Sequence, residues 1–193
     1  MGLRITKDEL AELETEVYDG KIHVIDRADQ VSDAVGKLST ADALGFDTET
    51  KPSFKKGKTN KVALLQLATE DECYLFRLNK IGYPKELEEL MCDDNIKKIG
   101  LSLRDDFSAL SKRTGNRPQN FVDLQQFVDG YGIEDNSLQK IYAIVFNKKI
   151  SKRQRLSNWE AEELDAAQQS YAAIDAWACL RIYNHLTKGD KDE

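Results

Sequence analysis

The chain has 193 residues, of which 40% are hydrophobic and 32% charged, and its formal net charge is −6. This length predicts one domain with a short extension, and the composition is that of a globular protein rather than a disordered or fibrous one. The sequence has no apolar run of the roughly 18 residues that a membrane span needs and no apolar segment typical of a secretory signal near its start, so we expect a cytoplasmic protein without a membrane segment.

The predicted elements begin as a series of strands and continue as strands alternating with helices. The first part contains helices over 7–19 and 28–39 and strands over 21–25, 43–49, 61–68 and 72–78. The second part contains strands over 96–101 and 120–123 and helices over 84–92, 103–113, 124–130, 137–146 and 160–186. The short acidic connection at 69–71 indicates antiparallel neighbours, and the Lys-rich segment 51–60 is typical of a loop. This order predicts an α/β fold with a mixed sheet.

Two acidic residues end the strand predicted over 43–49. Because side chains alternate along a strand, Asp47 and Glu49 project from the same face. Two acids this close raise each other's pKa unless a cation lies between them. The alternative interpretation is a solvated strand end whose acids have no function.

A third acid lies within an apolar helix face. Asp175 follows Tyr171 by one helical turn, so the two side chains share one stripe of the long helix predicted near the C-terminus. An isolated buried carboxylate costs several kcal/mol, roughly, unless it is paired or binds a metal. Two simpler interpretations stay open, namely a buried ion pair of Asp175 with a Lys or Arg and a core role for Tyr171.

The helix predicted over 103–113 opens with two neighbouring acids. On ideal helical geometry Asp106 lies near the apolar side, whereas Asp105 points almost the opposite way. Asp105 suits the first turn, where the helix dipole favours an acid, and Ser102 is the expected N-cap. Asp106 therefore becomes the fourth candidate. About four carboxylates without His or Cys suit a pair of Mg²⁺-like ions, which can clamp both reacting oxygens of a phosphodiester.

Charge and cysteine are unevenly distributed. The acidic residues concentrate in the first twenty positions and at the C-terminal end, which contains Asp190, Asp192 and Glu193. Two basic clusters, each alone typical of a solvated loop, comprise Lys51, Lys55, Lys56, Lys58 and Lys61, and Lys148, Lys149, Lys152, Arg153 and Arg155. The odd set of cysteines, without CxxC spacing, predicts free thiols in a reducing compartment: Cys73, Cys92 and Cys179.

Three short motifs carry a resemblance to a known family. FDTET (46–50), the Gly100-x5-Asp106 spacing and the Tyr171-x3-Asp175 spacing resemble the three motifs of the DEDD exonucleases, and the tyrosine is similar to that of the DEDDy branch. The flanking text resembles the ribonuclease D and Werner-helicase exonuclease group over about 20–187. It comprises VALLQLA (62–68), KKIG (97–100), NFVDL (120–124) and LSNWEAEELDAAQQSYAAIDA (156–176).

The resemblance implies an RNase H-like fold, in which helices flank a five-stranded mixed sheet. It implies that Asp47, Glu49 and Asp175 hold one metal ion, that Asp47 and Asp106 hold a second, and that the ions are Mg²⁺ or Mn²⁺. Tyr171 would orient or help activate the water that releases a nucleoside 5′-monophosphate from a 3′ end. The implied domain spans 21–187, between an acidic extension (1–20) and a tail (188–193).

The same resemblance assigns the basic loops to a nucleic-acid strand that enters the site. The expected contacts are Lys51, Phe54, Lys55, Lys152, Arg153 and Arg155, with Phe54 contacting a base or shaping the site. Trp159 is expected in the core, and Asp123 is expected to support the metal ligands or cap a helix. The expected substrate is single-stranded or 3′-recessed nucleic acid, with DNA slightly ahead of RNA, and the expected state is a monomer.

Two other classes of function compete with this hypothesis. A non-catalytic nucleic-acid-binding module would keep the fold and the basic loops but would not need the four acids. A protein-interaction role would explain the acidic ends, and it predicts no salt-sensitive binding of nucleic acid.

Overall fold

The computed structural model of the protein describes residues 2–55, 57 and 59–189. A six-stranded sheet runs through it with helices on both faces. The strands are β1 (Lys21–Ile25), β2 (Ala43–Thr50), β3 (Val62–Ala68), β4 (Glu72–Phe76), β5 (Lys97–Gly100) and β6 (Phe121–Asp123). The helices are α1 (Lys7–Glu12), α2 (Val31–Leu38), α3 (Leu78–Ile81), α4 (Lys85–Cys92), α5 (Arg104–Thr114), α6 (Leu124–Phe127), α7 (Leu138–Phe146) and α8 (Ala166–Gly189), with 3₁₀ turns at Ala28–Gln30 and Val128–Tyr131.

The sheet is mixed, as its sequence predicts. Its strand order is β1-β4-β3-β2-β5-β6. The meander of β2, β3 and β4 is antiparallel, whereas β1 pairs with β4, β2 with β5 and β5 with β6 in parallel. The described residues form six strands, the number given by the predicted elements, whereas the resemblance implied five. The shortest is the edge strand β6, whose three residues pair with β5 over Lys98–Phe121 to Gly100–Asp123.

Two predicted helices are shorter than expected. The first ends at Glu12 instead of 19, because Leu13 is extended and Thr15 pairs with Lys149 in an isolated parallel bridge. The last begins at Ala166 instead of 160. Turns occupy the preceding segment, and the buried Arg77 fixes them by donating to the carbonyl oxygens of two of its residues, Ala161 and Glu162.

The acidic N-terminal segment packs against the C-terminal half of the chain. Leu3 forms a parallel bridge with Ile133. Glu16 is only 8% exposed and accepts hydrogen bonds from the Tyr142 hydroxyl at 2.7 Å, Lys148 Nζ at 3.0 Å and Arg181 Nη1 at 2.9 Å. Burial acts to raise the pKa of Glu16, but these three partners outweigh it and lower the pKa. Glu16 is therefore an internal anchor between the N-terminal segment, α7 and α8. The acids at Asp190, Asp192 and Glu193 lie outside the described residues.

Each face of the sheet has its own core. One face packs beneath α8 and α7, with Trp159 completely buried there as expected. The other packs beneath α2, α4 and α5. In the described residues no helix is both long and apolar enough to cross a bilayer. The long helix α8 lies across β2, β3, β4 and β5, so its residues meet the centre of the sheet.

The contact between α8 and β2 depends on a glycine. A Cβ atom at Gly45 would overlap the backbone carbonyl of Ala176, which is part of a helix and cannot move aside as a flexible side chain would. The absence of a side chain at Gly45 therefore sets how closely α8 approaches β2. Asp47 lies two residues after Gly45, and Asp175 directly precedes Ala176, so this contact also sets the distance between those two acids.

We predict that Gly45→Ala lowers the free energy of unfolding by about 1–3 kcal/mol, the usual cost of forcing extra volume into a packed core. The measurement is a urea unfolding curve. Gly36→Ala is the matched control, because Gly36 lies on α2 with no atom within 4 Å of the added Cβ. There the substitution should raise stability by about 0.5–1 kcal/mol, since alanine is the better helix former. Equal midpoints for Gly45→Ala and the wild type would contradict this account of the contact.

Candidate active site

Three carboxylates meet where α8 crosses β2. Asp47 and Glu49 project from the face of β2 that α8 covers, and the Asp175 side chain projects from α8 towards them. Each offers an oxygen, and the three oxygens lie within 4.8 Å of one another. All three residues are half-buried. The structure therefore brings together residues of the first and third motifs, which are far apart in the chain.

The proximity of these acids changes their proton affinity. Burial, followed by the charges of Asp175 and Asp106, raises the pKa of Asp47 well above its usual range. Burial and the Asp47 charge also raise the pKa of Glu49 strongly. Burial raises the pKa of Asp175 to about 7, against opposing effects of a hydrogen bond from Tyr171 and the charge of Lys152. Without a cation, three ionised carboxylates are thus unfavourable here.

The positive charges near the acids act from a distance. Lys152 lowers the pKa of Asp175 and Arg155 lowers the pKa of Glu49, each through its charge. Within the described residues, no Lys or Arg forms an ion pair with Asp47, Glu49 or Asp175. Asp175 is therefore not half of a buried ion pair there. Oxygen ligands in a polar, half-open cluster without His or Cys fit a hard divalent cation such as Mg²⁺ or Mn²⁺.

Asp106 lies beside this cluster rather than within it. It is half-buried in the first turn of α5, whereas Asp105 is exposed. Its carboxylate accepts a hydrogen bond from the hydroxyl of Thr48, the residue between the two acids of β2. Burial raises the pKa of Asp106 to about 6, although the Thr48 hydrogen bond opposes the rise. Thr48 is a contact that the sequence alone did not indicate.

The expected N-cap of α5 is wrong. Leu103 holds the N-cap position, and Ser102 has a left-handed backbone conformation with φ 60°. In the turn before α5, the Asp123 carboxylate accepts hydrogen bonds from the backbone N–H groups of Ser102 and Leu103 at 3.0 Å each. Asp123 also caps α6 through the N–H of Gln125. It therefore fixes the turn that delivers α5, and with it Asp106, to the site.

The ring of Tyr171 packs against the buried Trp159. Their ring centroids are 5.9 Å apart. Burial, followed by the charges of Asp175 and Glu49, raises the pKa of Tyr171 above its usual range. The Tyr171 hydroxyl therefore keeps its proton at neutral pH and acts as a hydrogen-bond donor, with Asp175 as one partner.

The residues of the two basic clusters differ in their exposure and in their contacts. Lys51 forms an ion pair with Glu160 at 3.5 Å, while Lys55 and Arg153 are exposed. Phe54 is 90% exposed, and Leu156, which the sequence did not single out, is 69% exposed beside Arg155. Lys148 and Lys149 contact the N-terminal segment instead. Lys56 and Lys58 lie outside the described residues.

The family model of the 3′–5′ exonucleases matches residues 22–189, and the chain belongs to that family. Mouse bifunctional 3′-5′ exonuclease/ATP-dependent helicase WRN is 35% identical over 156 residues, which are 78% of this chain and 11% of that protein. Exonuclease 3′-5′ domain-containing protein 2 of Drosophila melanogaster is 35% identical over 153 residues, which are 77% of this chain and 26% of that protein. The chain thus spans a small part of these relatives.

Solved structures share the fold. The EXO domain of Aedes aegypti Nibbler superposes with a TM-score of 0.76 at 23% identity, covering 97% of this chain and 91% of that one. RNase D of Escherichia coli superposes with a TM-score of 0.78 at 20% identity, covering 89% and 46%. The RNase H-like α/β fold that the motifs predicted is confirmed, and so is the resemblance to the ribonuclease D and Werner-helicase group.

We predict that Asp175→Asn stabilises the protein in EDTA at pH 7.5. Asp175 has a higher pKa folded than unfolded, so the protonated acid favours folding. This contribution of Asp175 to folding stability is complete at pH values below its pKa in the unfolded chain, about 3.9. It is lost as the pH rises through the folded-state pKa of about 7. The amide keeps the neutral form at every pH. A gain of about 1 kcal/mol would raise Tm by about 2–4 °C for a chain of this size.

Thermal melts from pH 5 to 8 provide the measurement. The advantage of Asp175→Asn should shrink towards pH 5, and MnCl₂ should raise the Tm of the wild type more than that of the variant. The exposed first-turn acid provides the control. Asp105→Asn loses a favourable interaction with the helix dipole, so it should lower Tm slightly and should respond to MnCl₂ as the wild type does. A lower Tm for Asp175→Asn in EDTA at pH 7.5 would show that the carboxylate is stabilised by a partner rather than strained.

Proposed function

We propose that the chain is a metal-dependent 3′–5′ exonuclease that removes the terminal nucleotide of a nucleic acid as a nucleoside 5′-monophosphate. The observation that carries this proposal is the convergence of Asp47, Glu49 and Asp175, with oxygens within 4.8 Å of one another. Membership of the exonuclease family over 22–189 supports the reaction type. We assign this activity to 21–187, with 1–20 as an extension and 188–193 as a tail.

The acids divide into two ligand sets. Asp47, Glu49 and Asp175 would hold one Mg²⁺ or Mn²⁺ ion, and Asp47 with Asp106 would hold a second. Such ions supply charge neutralisation at the scissile phosphate and an activated water. The raised pKa values of all four acids support this assignment, because a cation is what would keep them ionised together at neutral pH.

The remaining site residues position the substrate. Tyr171, which keeps its proton, donates a hydrogen bond and orients the attacking water beside Asp175. Lys152 and Arg155 extend a positive field to the acids and hold the phosphates next to the scissile bond. Further from the acids, the backbone and bases of the strand contact Lys51, Phe54, Lys55 and Arg153.

The proposed substrate is single-stranded or 3′-recessed nucleic acid. Trypanosoma brucei RNase D, which shares the fold with a TM-score of 0.77, has been solved in complex with RNA U12, so this fold accepts a nucleic-acid strand. We propose DNA slightly ahead of RNA as the substrate, on the resemblance of the flanking motifs to the Werner-helicase exonuclease type. We propose a cytoplasmic monomer, consistent with three free cysteines.

A gel assay tests the activity. We expect 5′-labelled single-stranded DNA and its RNA counterpart, incubated with Mg²⁺ or Mn²⁺, to shorten progressively from the 3′ end. EDTA and Asp47→Ala should abolish the ladder, whereas Asp105→Ala should keep it, because Asp105 is exposed and outside the cluster. The relative rates on the two strands rank DNA against RNA.

The same assay distinguishes the competing hypotheses. Binding of both strands without any ladder, unchanged in Asp47→Ala, would indicate a non-catalytic nucleic-acid-binding module. Absence of both shortening and salt-sensitive binding would contradict a nucleic-acid role altogether.

We also predict that Lys152→Ala weakens binding of a single strand and flattens its salt dependence. Each lost phosphate contact on a single strand reduces the slope of log affinity against log salt by about 0.7. Fluorescence anisotropy between 50 and 300 mM NaCl, without divalent metal, measures this slope. Lys85→Ala is the control, because Lys85 is exposed on α4, on the other face of the sheet. Equal slopes for the two variants would exclude Lys152 from the phosphate path.

A further inference from the structure

A buried glutamine in the central strand is poorly explained by packing. Gln66 lies in β3, all seven residues of which are buried, and its own exposure is 0%. Neither Nε2 nor Oε1 of its side chain has a hydrogen-bond partner among the described residues. An unpaired buried polar group costs about 1–3 kcal/mol. An apolar side chain of similar size at this position would therefore stabilise the core more than glutamine does. The presence of the amide must have another cause.

The sheet register places this amide next to the catalytic acids. Gln66 is the residue of β3 directly opposite Asp47 of β2 in the antiparallel ladder. Opposed residues project from the same face, with Cβ atoms about 4.5–5.5 Å apart. On its other side Gln66 faces Leu75 of β4, which has no polar side chain. Of the two cross-strand neighbours of Gln66, Asp47 is therefore the one with a polar side chain that a rotation of the Gln66 side chain can meet.

We propose that Gln66 is a positioning residue for the metal site, and this role rests on the proposed function. Its Nε2 donates a hydrogen bond to the Asp47 carboxylate and fixes the rotamer in which Asp47 faces Glu49 and Asp175 around a divalent cation. A carboxylate whose rotamer is already fixed by a hydrogen bond loses less conformational entropy when the ion binds. Partners of this kind typically change metal affinity by about 10–100-fold. The cost of the unpaired amide in the metal-free protein is thus offset when the ion is bound.

The test compares metal affinity with metal-free stability. Gln66→Met and Gln66→Leu remove the amide but keep an apolar side chain of similar bulk. We expect either variant to melt in EDTA at or above the wild-type Tm, because two unpaired polar atoms leave the core. Isothermal titration with MnCl₂, in the absence of nucleic acid, should give an affinity at least about 10-fold below that of the wild type.

Leu67→Met provides the matched control, because Leu67 is the next residue of β3 and lies fully buried in the core on the opposite face. It should leave the Mn²⁺ affinity unchanged. If the Gln66 variants bind Mn²⁺ as tightly as the wild type, the role of Gln66 is wrong while the proposed function stands. A lower Tm in EDTA for both Gln66 variants also overturns the role, because the amide then stabilises the metal-free core. If the wild type itself binds no Mn²⁺, the metal-dependent function fails, and the role of Gln66 fails with it.

Discussion

The close approach of α8 to β2 at Gly45 is the constraint on which the site depends. The sheet supplies two acids from β2, but the third comes from a helix in a different layer of the fold. Only a residue without a side chain permits the helix backbone to lie against the strand at this point. The distance between Asp47 and Asp175 is therefore set by backbone contact rather than by side-chain packing, which relaxes more easily. A metal site with oxygen ligands needs this rigidity, because its ligands repel one another when no ion is bound.

Among the described acidic residues, burial raises the pKa clearly only for the four acids of the candidate site. A buried acid elsewhere in the fold has partners that neutralise it. Glu16, nearly as buried as a core residue, is surrounded by Tyr142, Lys148 and Arg181, and its pKa falls. Around Asp47 and Glu49 no comparable partner is present in the described residues, and their pKa values rise. The contrast between these two environments distinguishes Glu16, which stabilises the fold, from the acids proposed as metal ligands, and residue type alone does not give this distinction.

Local periodicity was sufficient to predict much of the fold and most of the acidic cluster. Period two in β2 placed Asp47 and Glu49 on one face, and period 3.6 placed Asp175 on the covered stripe of α8 and turned Asp106 inward. The errors have two different causes. The start of α8 was missed although its signal is local, since Asp165 and Gln168 each accept a hydrogen bond from the other's backbone N–H, at 2.8 and 3.0 Å, directly at the helix start. The turn before α5 was missed because a distant residue fixes it, namely Asp123, which accepts from the N–H groups of Ser102 and Leu103. The position of Gln66 opposite Asp47 could not be predicted. The sequence shows a polar residue in an apolar strand, but the register that pairs two strands cannot be obtained from one strand alone.

The placement of the acids also links activity to completeness of folding. Asp47 belongs to the first half of the chain and Asp175 to the helix near its end, so they meet through a contact of long sequence separation, which forms late when loop closure is costly. Detachment of α8, a sub-global opening, would separate the ligand set while much of the sheet persisted. A partly folded or partly unfolded chain therefore keeps its basic loops without an assembled cluster of acids. Under the proposed function, such a chain would lack the assembled metal ligands that cleavage needs, even where its basic loops still bind a nucleic acid.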